Sequence, residues 1–372
     1  VKIALVSPYD YSYPGGVVAH ISHLYEQLTG KGHSVKIIAP CSTKKGVTLS
    51  EDVIALGRPV PIPSGGSIAR ATLSPALSSP VRAILEQENF DIVHLHEPLG
   101  STLPLTALRV SHSVNVGTFH AFHGEPRGYR IMRPFVMRWF EKLDGKIAVS
   151  KPAMEFISKC FPGHYDIIPN GIDLEHFSAD VLPIERFCDG KLNILFVGRL
   201  EKRKGLRYLL AAYKQVKKEF PNSRLIVVGP GARREYERMV RRANLEDVVF
   251  TGYVSDEELP RYYKTADLFC APATGEESFG IVLLEAMAAA KPIVASHIEG
   301  YASVMSHGIE GLLVPPRDEQ ALATALIHLL GDKSLRQEMG ARGRLNVEKY
   351  SWQNIARRVI DHYNSLLDGS RR

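Results

Sequence analysis

Cysteine is scarce: four residues in 372, Cys41, Cys160, Cys188 and Cys270, far apart and never in C-x-x-C spacing. That argues against a zinc ribbon or a disulfide framework and for a reducing compartment. Long apolar runs are missing too. Nothing approaches the ~18 consecutive residues of a membrane span, so any membrane contact is expected to be peripheral. The opening "VKIALVSP" reads as a strand, without the charged region or cleavage site of a secretion signal. The expected location is therefore cytoplasmic. No Asp-x-Asp occurs anywhere, so the usual metal-diphosphate chelate is missing, and no short repeat or low-complexity segment is found. Charge of one sign is nearly balanced by the other: 46 Lys and Arg against 40 Asp and Glu, a net +6. This bias suits phosphate-bearing or anionic-membrane partners and does not call for nucleic acid. No obligate protein partner is inferred.

What is present is a globular sequence, 45% apolar, long enough for two ordinary cores. The first half alternates β-branched runs with amphipathic stretches, the pattern of parallel βα units. "KIALVSP" (2–8) reads as a buried first strand. Pro14-Gly15-Gly16 comes next, then a helix with Val17, Val18, Ile21, Leu24, Tyr25 and Leu28 on one face, stopping near Gly30 and Gly32. "SVKIIAP", "DIVHLHEP", "NVGTFHAF", "GKIAVS" and "YDIIPNG" are further strand candidates. The pattern lapses over 174–190 and restarts with "LNILFVGRL" (192–200), a second Rossmann-like half that runs through "RLIVVGPG", "VVFTGYVS", "ADLFCAPA", "KPIVAS" and "GLLVP" to a helix in 351–367. Such folds place ligands at the carboxyl ends of their strands.

Candidate residues sit at those ends. Gly15 and Gly16 let backbone N–H groups approach a phosphate at a helix N-terminus, although a plain tight turn reads the same way. In the second half "GRLEKRKG" sets Arg199, Lys202, Arg203 and Lys204 directly after a strand, which favours anion capture over a solvated loop. Gly229-Pro230-Gly231 is read as a turn, because Arg234 stands where a dinucleotide fingerprint needs its third glycine. His94, His96, Glu97, His120 and His123 offer a metal constellation, but their spacing fits no standard zinc pattern, and no metal is expected. The sharpest signal is "EESFGIVLLEAMAAA". On a helix starting near Ser278, Glu285 shares a face with Ile281, Leu284 and Ala288, where a carboxylate needs a partner. Glu277, eight residues earlier, would lie roughly 12 Å away on the same helix, about the span from ribose to sugar in a nucleotide-sugar.

Together, "PGGVVAHI", "HLHEP", "TFH", "PNGID", "FVGRLEKRKG" and "ESFGIVLLEAMAAAKPIVAS" resemble the retaining glycosyltransferases of family 4 over nearly the whole chain. The resemblance implies an α/β GT-B fold of two facing Rossmann-like domains. Residues 1–173 would be the acceptor domain, 174–190 a linker, 191–350 the nucleotide-sugar donor domain, and 351–372 a helix crossing back to the first domain. Glu285 would take the ribose hydroxyls and Glu277 hydroxyls of the transferred sugar. The helix start at Phe279, Gly280 and Ile281 would face the diphosphate. Arg199 and Lys204 would neutralise the leaving group in place of a metal. Gly15 and Gly16 would add backbone donors, His120 would contact the sugar near the reacting carbon, and Tyr9 and Arg70 would meet the acceptor. No protein nucleophile is implied, and no cofactor beyond the donor.

Within the family, "PIPSGGSIAR" is most similar to the branch that mannosylates phosphatidylinositol. That implies GDP-mannose as donor and a lipid-linked acceptor at the inner face of the plasma membrane; the alternative is UDP-glucose or another UDP-sugar with a different lipid or a soluble polyol. One departure stands out. Where that branch carries a lysine-rich helix, "ATLSPALSSPVRAILEQ" has only Arg82. A substitute lies in 127–142, where Arg127, Arg130, Arg133 and Arg138 are expected to oppose an apolar face of Ile131, Met132, Phe135, Val136 and Trp139. The competing reading is a sheet-covering helix with its arginines in water, confined by Pro134 to the residues after it. Two other functions compete with transfer: a metal-dependent hydrolase on the histidines, and a membrane scaffold with a degenerate donor site.

Overall fold

The computed structural model describes residues 1–13, 15–42, 50–64, 67–121, 127–178 and 180–370, so His123 of the histidine constellation lies outside the described residues. The chain divides into two compact units, Val1–Gly171 with Trp352–Arg372, and Ile172–Ser351.

Among the described residues, the first unit is built on a parallel sheet of seven strands: β1 (Lys2–Val6), β2 (Ser34–Ala39), β3 (Val53–Ala55), β6 (Ile92–His96), β7 (Val114–Phe119), β8 (Gly145–Ala148) and β9 (Asp166–Ile167). Their spatial order is β3-β2-β1-β6-β7-β8-β9. A separate antiparallel hairpin pairs β4 (Val60–Ser64) with β5 (Ser67–Ala71). Strand alternation sorts β1 between two layers. Ile3 and Leu5 pack with Ile21, Leu24 and Leu28 of the helix Gly16–Gly30 and with Ile355, Ala356, Val359 and Tyr363 of the C-terminal helix Trp352–Ser370. Ala4 and Val6 face the other way, onto Val81, Leu103, Val136 and Phe140. The last helix therefore belongs to the first unit.

The second unit repeats the plan with six parallel strands: β10 (Leu192–Val197), β11 (Ser223–Val228), β12 (Val248–Gly252), β13 (Leu268–Ala271), β14 (Ile293–Ser296) and β15 (Gly311–Val314), in the order β12-β11-β10-β13-β14-β15. The stretch 174–190 is part of this unit: Leu174–Ser178 is helical, and Phe177 and Phe187 are buried in its core with Leu195, Phe269 and Leu284. Strand order reverses between β1 and β6 in the first unit and between β10 and β13 in the second. A parallel sheet leaves a crevice at such a reversal, because successive crossovers run to opposite sides.

Candidate active-site residues

In the second unit the reversal brings together the loops after β10 and β13. They meet through Gly205, whose φ is +73° and whose missing Cβ would fall 1.8 Å from the carbonyl oxygen of Pro272. No other residue satisfies both conditions. Thr274 completes the junction, its N–H donating to Arg203 O at 2.7 Å. The result is an ion cluster. Glu277 Oε1 accepts from Lys204 Nζ and from Arg203 Nη1, each at 2.7 Å, and the same guanidinium nitrogen donates to the carbonyl of Glu276 at 3.1 Å. All three side chains are largely shielded. Arg199 is placed otherwise: half exposed, it pairs with Glu201, which also holds Arg203 Nε.

The helix predicted from Ser278 begins later, at Ile281, and Glu277 lies in the loop before it. The reason is Gly280, the residue before the helix, at φ +100°, a left-handed turn that breaks the helix on its N-terminal side; a Cβ there would also strike Tyr301 at 2.7 Å. The 12 Å spacing that assumed one continuous helix therefore does not apply. Phe279 is buried against Tyr350, so its side chain belongs to the core. Glu285 does sit on the helix Ile281–Ala288, and the protein supplies a partner that sequence reading missed: Tyr263 Oη donates to Glu285 Oε2 at 2.7 Å. Burial raises the Glu285 carboxyl to about 7, opposed by that hydrogen bond and by Lys204 and His176, and reinforced by Asp256.

In the first unit, the Gly15 backbone is extended before the helix that starts at Gly16, and a Cβ on either glycine would meet nothing within 4 Å. The fold itself does not demand glycine there. Tyr9 and Arg70 belong to adjoining segments, since Asp10 N donates to Arg70 O at 2.8 Å; the Arg70 guanidinium lies over the Tyr13 ring at 3.9 Å.

The histidines form a cluster within the same unit. His94 and His96 stack at 4.5 Å between centroids, as their shared strand face requires, and His96 Nδ1 lies 3.0 Å from His120 Nε2. His94 bridges Thr118 Oγ1 and Tyr363 Oη at 2.6 Å each. Ring nitrogens of His20, His96 and His120 fall within 4.8 Å of one another, and these are the described residues able to hold a metal ion. Burial pushes all three well below the usual histidine range, His20 to about 4, so each ring is neutral at pH 7. Glu97, buried with φ +50°, accepts from the N–H groups of His120 and Ala121 and from Tyr129 Oη, which clamps the turn carrying His120.

The arginine segment differs most from expectation. The helix Arg127–Phe140 runs through Pro134 instead of starting after it, and its apolar residues split between two faces. Val136 and Phe140 are buried, whereas Ile131 and Phe135 point outward at 73% and 74% exposure, beside exposed Arg130 and Arg133. Arg138 lies over the Trp139 ring at 4.3 Å. The apolar face expected to oppose the arginines is in part the same outward face. No helix among the described residues is long and apolar enough to cross a membrane.

Comparison with known proteins agrees with this architecture. Residues 14–176 match the family "Glycosyltransferase Family 4" and residues 182–346 match "Glycosyl transferases group 1". The chain is 37% identical over 367 residues to the phosphatidyl-myo-inositol mannosyltransferase of Mycobacterium leprae, covering 98% of this chain and 97% of that one. Among solved structures, sucrose-phosphate synthase from Thermosynechococcus elongatus superposes with a TM-score of 0.77 at 24% identity, covering 99% of both chains. Anabaena HepE, solved with UDP-glucose, does so at 0.76 and 18%, covering 98% of this chain and 99% of that one. The chain belongs to glycosyltransferase family 4, has the GT-B fold, and is a hexosyltransferase.

Proposed function

We propose that the protein is a retaining, metal-independent transferase that moves mannose from GDP-mannose to a lipid-linked acceptor such as phosphatidylinositol, working peripherally at the inner face of the plasma membrane. The observation that carries this reading is the cluster of Lys204, Arg203 and Glu277 at the strand reversal of the second unit, with Glu285 on the next helix. It joins cations for a diphosphate to carboxylates for sugar and ribose hydroxyls.

In the second unit, Glu285 takes the ribose hydroxyls and Glu277 those of the hexose. Backbone N–H groups at Phe279, Gly280 and Ile281 face the diphosphate, and Arg199 and Lys204 neutralise it as it leaves. In the first unit, Gly15 and Gly16 are assigned as backbone donors, His120 as a sugar contact, and Tyr9 and Arg70 as acceptor contacts. Retention results from attack on the leaving-group side. The acceptor oxygen bonds to the anomeric carbon as the bond to the diphosphate breaks, and a phosphate oxygen takes the hydroxyl proton, so no protein nucleophile is assigned. Membrane contact is assigned to the outward face of the helix Arg127–Phe140, where Ile131 and Phe135 enter the lipid interface and the arginines meet anionic headgroups.

The test is nucleotide release from GDP-mannose, UDP-glucose and other UDP-sugars, with and without phosphatidylinositol vesicles. Release from GDP-mannose that needs the lipid and survives EDTA is expected. Loss in EDTA restored by magnesium would remove the assignment of Arg199 and Lys204 as the leaving-group cations.

A further inference from the structure

His96 has no role in the transfer reaction as assigned, yet it is fully buried, touches His120 and keeps one ring nitrogen, Nε2, without a hydrogen-bond partner among the described residues. A neutral imidazole has one N–H and one lone pair, so the contact of His96 Nδ1 with His120 Nε2 at 3.0 Å shares a single proton in one of two ways. If His120 donates from Nε2, His96 must carry its own proton on Nε2, a buried N–H with nothing to receive it. If His96 donates from Nδ1, the unpartnered Nε2 is a lone pair instead. Buried orphan N–H groups are the rarer of the two. The surroundings give no escape, because His94 covers one face of the ring and His20 packs edge-on with centroids 5.4 Å apart. Nor does His20 relieve it: its Nδ1 lies 3.0 Å from Asn170 Oδ1, an acceptor, so its proton is on Nδ1 and its Nε2 is a lone pair, but that lone pair makes no hydrogen bond to His96 Nε2.

We propose that His96 is a positioning residue for His120: it donates from Nδ1 to His120 Nε2, fixes His120 as the Nδ1–H tautomer, and so determines that His120 offers a hydrogen-bond donor to the transferred sugar. The last step rests on the reading of His120 as a sugar contact. Two restraints then act on one residue. Glu97 holds the backbone of His120 through its N–H at 2.6 Å, and His96 sets the proton on its ring.

The experiment is a long-range ¹H–¹⁵N spectrum of the full chain with labelled histidine, His120 being assigned from the peaks lost in His120→Asn. Wild type should show His120 protonated on Nδ1. His96→Leu should move that proton to Nε2 or average it between the two, and should lower kcat by about tenfold or more while KM for the donor changes less than about twofold. His96→Asn, which keeps an N–H donor near the Nδ1 position, should restore both tautomer and rate, showing that packing alone is not at work. An Nε2–H tautomer in wild type would overturn the proposal. So would an unchanged tautomer in His96→Leu, or one equivalent of zinc held by His20, His96 and His120 in the protein as purified. An unchanged kcat in His120→Asn would overturn the sugar-contact reading, a failure visible apart from the tautomer result.

Discussion

Glu285 holds a carboxyl whose tendency to ionise sits close to neutrality, which makes it readable by pH. Two ribose hydroxyls bind best to a carboxylate, so with a value of about 7 donor affinity should rise as pH climbs from about 6 to about 8, by close to tenfold. Stability moves the opposite way. The folded value lies above the ordinary carboxyl value of 4.5, so ionisation penalises the donor-free fold: not at all below about 4.5, increasingly through the window, and fully above about 7. Glu285→Gln, which can still accept from Tyr263, should therefore raise the melting temperature at pH 8, leave it nearly unchanged at pH 4, and weaken donor binding by about 1.5–3 kcal/mol. A melting temperature that falls at pH 8 would show that the carboxylate serves the fold. Arg203 gives a second prediction, because it ties Glu277 to the backbone of its own loop. Arg203→Gln should lower kcat by tenfold to a hundredfold, on the order of 1.5–3 kcal/mol, in single-turnover assays, with Lys204 still in place. Neither the Tyr263 partnership nor the inward turn of Arg203 is legible in the sequence. The tyrosine lies 22 residues from its partner, and nothing local marks which basic residues of "EKRKG" turn onto a distant glutamate.

Elements were legible where burial dictates pattern. Every strand candidate quoted from the sequence contains a strand in the structure, because a parallel strand covered on both faces must be a short β-branched or aliphatic run. β3, β4 and β5 carry no such signal. β3 has three residues at the sheet edge, and Pro61 and Pro63 in β4 disguise a hairpin that lies outside the main sheet. The helix Arg127–Phe140 was visible as an amphipathic segment, but periodicity shows only that apolar residues recur; it does not say which of them turn inward. Its outward Ile131 and Phe135 carry the third prediction. Replacing both with Ser should abolish binding to phosphatidylinositol vesicles, and replacing Arg130 and Arg133 with Gln should weaken it by on the order of 1 kcal/mol per charge, an effect that fades with salt. Donor affinity should be unchanged in both variants. Vesicle binding equal to wild type in low salt would leave this segment a structural helix and favour a soluble acceptor.

At the scale of the whole molecule, connectivity separates the two units in kind. The second, Ile172–Ser351, is one continuous stretch, and it contains Arg199, Arg203, Lys204, Tyr263, Glu277 and Glu285 together with both faces of its own core. The first is completed only by the C-terminal helix, which buries Trp352, Ile355, Ala356, Val359 and Tyr363 against it and sets Tyr363 Oη on His94. Removing that helix exposes the matching apolar face, at on the order of 8–12 kcal/mol for the five residues, comparable with the entire net stability of a domain. Residues 172–351 alone should therefore fold cooperatively and bind the nucleoside diphosphate, while residues 1–171 alone should not fold. Adding the peptide 352–372 to residues 1–171 should restore their circular dichroism and, by nuclear magnetic resonance, the protected hydroxyl of Tyr363. Cooperative unfolding of residues 1–171 without the peptide would mean that the last helix packs on a core already complete. A second-unit fragment that folds but ignores the nucleotide would mean that the cations of the β10 loop need more than their own unit to hold a diphosphate.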